Sequence, residues 1–127
     1  MRLVSGNDNS SGRVEVNFHG TWGTVCDDKF NKVDGLVVCK QLGFFGVDSV
    51  QGNAYYGQGK GPIFLDDVDC IGSESSIVDC RHLDWGKHNC DHNEDVGVSC
   101  ISDNTSRRCY YLYVTAYLLY IILRLAV

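Results

Sequence analysis

Six of the seven cysteines, Cys26, Cys39, Cys70, Cys80, Cys90 and Cys100, are spread through the first hundred or so residues, each inside an ordered local sequence. An even set of cysteines over such a length reads as a disulfide framework. Disulfides persist in oxidising compartments, so this chain is expected outside the cytosol. Spacing alone leaves the pairing open. The 127 residues suffice for one domain with a small core. In such a domain each bridge contributes roughly 2–4 kcal/mol by restricting the unfolded chain.

Charge narrows the function further. Up to Asp103 there are eight Lys/Arg against all sixteen Asp/Glu, which leaves that stretch at about −8. Nucleic-acid binding needs basic surface to replace phosphate counterions, so it is not expected of a stretch this acidic. No nucleophile elbow occurs, and GQGKG (57–61) lacks the length and the Ser/Thr of a phosphate loop. Paired carboxylates occur, as in glycoside hydrolysis, but in loops of a domain too small for a deep cleft. The chain is therefore not expected to be an enzyme. His82, His88, Cys90 and His92 are close in sequence, yet Cys90 is wanted for a bridge and the spacing fits no zinc module.

Local patterning suggests the elements. Val14, Val16 and Phe18 alternate with Arg13, Glu15 and Asn17, predicting a half-buried strand. His19-Gly20 is a turn, and Thr21–Cys26 a returning strand. Residues 34–42 read as a helix with Asp34 as N-cap and Gly43 as its stop. Residues 52–62 are glycine-rich and end in Pro62, predicting a long loop. A short strand is expected at 63–65, a short helix capped by Ser73 over 73–80, and a closing strand at 96–100.

The ordered segments RLVSGND (2–8), GRVEV (12–16), WGTVCDD (22–28), VVCKQLGF (37–44), GNAYYGQGKGPIFLDDVDC (52–70) and WGKHNCDHNEDVGVSC (85–100) resemble the scavenger receptor cysteine-rich family. The resemblance covers nearly the whole folded part, residues 1–102. The extra cysteine pair of the eight-cysteine layout would fall near Ser10 and Phe44, and neither is cysteine, so the chain looks like the six-cysteine, group A layout. The resemblance implies the pairs Cys26–Cys90, Cys39–Cys100 and Cys70–Cys80. It also implies an α+β fold: a small disulfide-stapled domain, a curved antiparallel sheet around one main helix, and a short second helix.

Those bridges would gather the acidic motifs. Bonded cysteines have Cα atoms about 5.5 Å apart. Asp27 and Asp28 follow Cys26, and Glu94 lies four residues beyond Cys90. Convergent carboxylates repel unless a proton or a cation lies between them. Calcium takes six to eight oxygen ligands in flexible geometry. The resemblance implies Asp27, Asp28 and Glu94 as calcium (or magnesium) ligands; the alternative is a solvated acidic edge. A second, weaker cation position is expected at Asp66, Asp67 and Asn89. Arg13, Lys29, Lys87, Tyr55 and Tyr56 are candidate ligand contacts. Asn9 and Asn104 head glycosylation sequons.

After a linker at 103–108 the composition changes. Residues 109–123 are uncharged, and a nineteen-residue run to 127 admits only Arg124. This tail is expected to be a truncated membrane anchor or a non-native extension. Cys109 is left unpaired. The chain opens on RLVSGND with no leader, which reads as a piece of a longer secreted or membrane protein.

The function expected is an extracellular, ligand-binding module of a scavenger-type receptor. A calcium ion would join it to polyanionic, microbial-surface or protein ligands. The resemblance also allows an accessory module of a secreted enzyme, such as a lysyl oxidase-like oxidase or a serine protease, whose catalytic part lies elsewhere.

Overall fold

The computed structural model describes residues 1–102 and 105–125, with side chains except those of 105–113. Six strands form one sheet: β1 Arg2–Ser5, β2 Ser11–Phe18, β3 Thr21–Val25, β4 Gly46–Gln51, β5 Ile63–Leu65 and β6 Gly97–Ile101. Their order is β4-β6-β2-β3-β5, with β1 paired to β2. Helix α1 spans Lys32–Gln41. Short 3₁₀ turns lie at Ile77–Asp79 and His92–Glu94. The predicted α+β architecture is present. One pair departs from the antiparallel rule, since β3 and β5 run parallel.

The β2–β3 hairpin forms where expected, with Phe18 opposite Thr21 and His19 and Gly20 in left-handed conformations. Strand β2 is not half-exposed, however. Val14 and Val16 enter the core, and Arg13 and Glu15 on the other face are buried too. Those charges persist there because they are paired. Glu15 accepts from Arg13 Nε at 3.0 Å and from Arg2 Nη2 at 2.7 Å. Arg2 in turn stacks its guanidinium 4.0 Å over the Trp22 ring.

Helix α1 starts earlier than the sequence pattern suggested. Asn31 is the N-cap, accepting from Val33 N–H, while Asp34 occupies the third helical position and returns a bond to Asn31 N–H at 2.8 Å. This reciprocal box satisfies two amide groups that the helix start would leave unpaired. The other Asp34 oxygen accepts from Cys70 N–H at 2.7 Å, tying the helix to the LDDVDC segment. Burial pushes the Asp34 carboxyl up, against the pull of these two bonds. Gly43 ends the helix at φ +89.

The sheet folds over Val37 and Val38 of α1, with Val14, Val25, Leu65, Val68, Ile77, Val96 and Val98 filling the core. Strand β4 packs so close to α1 that a Cβ on Gly35 would lie 2.7 Å from Val50 Cγ2. No simple alternation marks this strand in the sequence, because a register shift between Val47 and Ser49 breaks it. The helix expected over 73–80 shrinks to a single 3₁₀ turn, capped by Ser76 rather than Ser73.

All three disulfides join the expected partners: Cys26–Cys90, Cys39–Cys100 and Cys70–Cys80, with Cα separations of 6.3, 5.6 and 4.7 Å. Beyond the domain, helix α2 spans Thr105–Leu125, so it begins inside the segment read as a linker. Among the described residues no helix is long and apolar enough to cross a membrane. The anchor reading of 109–127 thus rests on sequence alone. Asn104 and the side chain of Cys109 lie outside the described residues.

Candidate metal centre

Because β3 and β5 are parallel, their C-terminal ends lie side by side, and each is followed by an Asp-Asp pair. Cys26 N–H donates to Leu65 O at 2.9 Å, which sets Asp27-Asp28 beside Asp66-Asp67. A third segment meets them. Asp27 N–H donates to Glu94 O at 2.9 Å, Val96 N–H to Val25 O at 2.9 Å, and Cys26 is bonded to Cys90. Backbone pairing, and not the disulfide alone, therefore carries the acidic residues together.

Two overlapping groups result. Asp27, Asp28 and Glu94 each offer an oxygen within 4.8 Å of the others, and Asp28 and Asp66 do the same beside the Cys26–Cys90 bridge. The sulfurs there are bonded to each other, so the usable donors are oxygens. Most of the carboxylates are held by backbone amides. Asp27 Oδ2 accepts from Asn53 N–H at 2.8 Å, Glu94 Oε2 from Asp91 N–H at 2.9 Å, and Asp66 Oδ1 from Asp67 N–H at 2.7 Å. Gly52 leaves space for this arrangement, since a Cβ there would lie 2.7 Å from Asp27 Oδ2.

The electrostatics are one-sided. Burial, then Asp66, Glu94, Asp27 and Asp67, push the Asp28 carboxyl above its ordinary value. Among the described residues the ion pairs within 4.0 Å are Arg2–Glu15, Arg13–Glu15 and His92–Asp95, none of which touches this cluster. Asn89 sits over Asp28 and Asp66. With its amide nitrogen turned inward it donates to Asp28 Oδ2 at 3.1 Å and Asp66 Oδ2 at 3.3 Å. With its oxygen inward, three acceptors would face one another, an arrangement that a cation between them would satisfy. An all-oxygen donor set of this kind fits a hard divalent cation and does not fit zinc.

The remaining candidates divide. Asp67 is not among the groups whose ligand atoms converge, and it lines a depression beside the cluster instead. Arg13, a candidate ligand contact, is buried and committed to Glu15 and to the Tyr56 and Gly57 carbonyls. It fixes the glycine-rich loop and leaves ligand contact to others. Lys29 and Lys87 are exposed. Tyr55 is 65% exposed and meets half-buried Tyr56 edge-on. Asn9 is exposed at its sequon.

His92, which the sequence excludes from a zinc module, has a definite role. Its Nδ1 faces Asp95 Oδ2 at 2.9 Å and its Nε2 faces Gly61 O at 2.9 Å. Burial lowers its pKa, but Asp95 and Gly61 outweigh burial and hold it above the usual value. His92 thereby clamps the turn that carries Glu94 onto the end of the glycine-rich loop.

The profile of the scavenger receptor cysteine-rich domain matches residues 4–101. The bovine (Bos taurus) macrophage scavenger receptor types I and II is 53% identical over 100 residues, 79% of this chain and 22% of that protein. Mouse (Mus musculus) galectin-3-binding protein is 49% identical over 105 residues, 83% of this chain and 18% of that protein. The chain thus spans about a fifth of the curated relatives it matches. Among solved structures, the third such domain of murine neurotrypsin superposes with TM-score 0.72 at 48% identity, covering 78% of this chain and 92% of that one. The domain of mouse MARCO, in its dimeric form, gives TM-score 0.67 at 43% identity, covering 79% and 93%. With its ordered motifs, three bridges and curled sheet, this chain belongs to the scavenger receptor cysteine-rich family.

Proposed function

We propose that the chain is an extracellular binding module without catalytic activity. In this reading it holds calcium (or magnesium) at Asp27, Asp28 and Glu94, and a second cation at Asp28, Asp66 and Asn89. The observation that carries this is a set of carboxylates from three chain segments, most of them pre-oriented by backbone amides, to which no cationic side chain among the described residues is ion-paired.

A bound cation supplies positive charge and open coordination positions to a ligand's sulfate, phosphate or carboxylate. The protein's own part is to hold the oxygens in place and to offer exposed Tyr55, two residues past Asn53, on the loop that bonds Asp27. Polyanions and extracellular proteins both fit. One relative's name, galectin-3-binding protein, supports a protein partner. Extracellular calcium modules bind with Kd near roughly 10⁻⁴–10⁻³ M, and repeated display in a larger assembly compensates.

The test is thermal unfolding of the oxidised chain in chelator and in calcium, beside Asp27→Ala/Asp28→Ala. At about 10 mM calcium and a Kd near 1 mM, stabilisation should be about 1.4 kcal/mol, several degrees in Tm. The double variant should lose that response. An equal response in the variant, or none in either protein, rejects the cation site.

A further inference from the structure

Beside the acidic cluster lies a depression of about 350 Å³ lined by Lys29, Asp67, Asp69, Arg81, His82 and Leu83. The chain turns sharply to build it. Lys29 and Asp67 are both in the left-handed region, at φ +63 and +52, a conformation that costs a non-glycine residue energy. Each directly follows a cluster residue, so neighbouring side chains are divided. Asp28 and Asp66 turn to the cluster, and Lys29 and Asp67 to the depression.

The walls are fixed. Asp69 N–H donates to Arg81 O at 2.8 Å, and the Cys70–Cys80 disulfide closes the adjacent positions. Leu83 N–H donates to Asp66 O at 3.1 Å. The His82 ring packs edge-on against Trp85 at 5.7 Å.

Four charged side chains meet here, two of each sign. Among the described residues none of Lys29, Asp67, Asp69 and Arg81 takes part in an ion pair within 4.0 Å. A uniform polyanion would satisfy Lys29 and Arg81 but confront Asp67 and Asp69. A uniform polycation meets the reverse conflict. An occupant that leaves no charge opposed carries both signs. The lining adds hydrocarbon, since Leu83 is 40% exposed. A protein partner can bury such groups, whereas a sulfated or phosphorylated polymer has little to cover them with.

We propose that this depression is a docking pocket for an extracellular protein, one that presents an acidic and a basic side chain close together. Lys29 and Arg81 receive the carboxylate, Asp67 and Asp69 the cation, and Leu83 packs against the intervening hydrocarbon. The pocket is separate from the cation cluster and does not require the cluster to be filled.

The test is an amide ¹H–¹⁵N titration of the oxidised chain with three end-blocked tripeptides, Glu-Ser-Lys, Glu-Ser-Glu and Lys-Ser-Lys. It is run in calcium and again in chelator. Glu-Ser-Lys should shift the Lys29, Asp69, Arg81 and Leu83 signals and saturate at a concentration about fivefold below the other two, the factor one exposed ion pair contributes at most. In Lys29→Ala/Arg81→Ala, Lys-Ser-Lys should become the best of the three. Equal or better binding of Glu-Ser-Glu would make the pocket an anion subsite and overturn the proposal. So would a preference for Lys-Ser-Lys in the unmodified chain, or shifts that do not saturate. Calcium-dependent Tm on the same samples keeps the two readings apart: tripeptide selectivity with no calcium response rejects the cation site alone, and the reverse rejects the pocket alone.

Discussion

Two regions of this domain handle charge in opposite ways. On the outer face of β2, Arg2, Glu15 and Arg13 alternate in sign, and each buried group has a partner within 3.0 Å. At the ends of β3 and β5, Asp27, Asp28, Asp66 and Glu94 carry one sign; backbone amides orient Asp27, Asp66 and Glu94, and the Asn89 amide reaches Asp28 and Asp66. The first region is complete as it stands, and removing one member leaves an unpaired buried charge. The second is incomplete, and removing one member relieves repulsion. The same domain thus has one charge network that is paired internally and another in which like charges press on one another.

The largest effect should come from the bridge that braces the second region. Cys26→Ser/Cys90→Ser opens a link between residues 64 apart, worth about 4 kcal/mol in loop-entropy terms. Denaturant unfolding should show that loss together with a weakened calcium response. An undiminished calcium response would mean that backbone pairing alone assembles the cluster. Next, Glu15→Ala should cost about 3 kcal/mol, because Arg13 is left buried and unpaired. The Tm shift induced by calcium should be unchanged in that variant, and a lost shift would join the two regions that are here held distinct.

Asp28→Asn should have a smaller effect of opposite sign. Its carboxyl is held above 3.8 in the folded chain, so the folded state favours the proton. In chelator, stability should be greatest below pH 3.8 from this group and should fall as pH rises through the raised value. The variant should therefore raise Tm at neutral pH without calcium and respond less to calcium. A lower Tm in chelator would contradict the repulsion argument. The smallest effect concerns His92, whose pKa is raised above 6.5. Its contribution should be complete below pH 6.5 and be lost as pH rises through the folded value. His92→Gln should flatten that slope in a pH series of Tm.

How much of this was legible depended on whether local pattern and tertiary contact agreed. The β2–β3 hairpin, the glycine-rich loop, the stop at Gly43 and the cysteine pairing were readable, because alternation, turn residues and motif order carry them. Helix α1 was displaced because Asp34 satisfies both the capping box and Cys70, while the actual cap, Asn31, stands three residues earlier. The pattern Asn-x-x-Asp held that information. Strand β4 was missed because its bulge sets Val47 and Val50 together against α1, defeating a period of two. Arg13 looked solvent-exposed because alternation with Val14 says nothing about what covers the other face. In the candidate site, the Asp27–Glu94 approach followed from Cys26–Cys90. The arrival of Asp66 did not, since it requires the parallel β3–β5 pair, which no local signal announces.

Strand β2 also has a mechanical consequence. Its Arg13 pairs with Val4 of β1 on one side and with Gly97 of β6 on the other. Both neighbours are antiparallel to β2, so they run parallel to each other. Arg2 and Ile101 consequently lie at opposite ends of the three-strand core, about 20 Å apart along it. Tension applied through those two ends would pull β1 and β6 along β2, straining many ladder hydrogen bonds at once instead of opening them singly. Cys39–Cys100 would pass part of that tension from β6 into α1. Under such a load the three strands would resist together, with the acidic ends of β3 and β5 held beside them through the β2–β3 pairing.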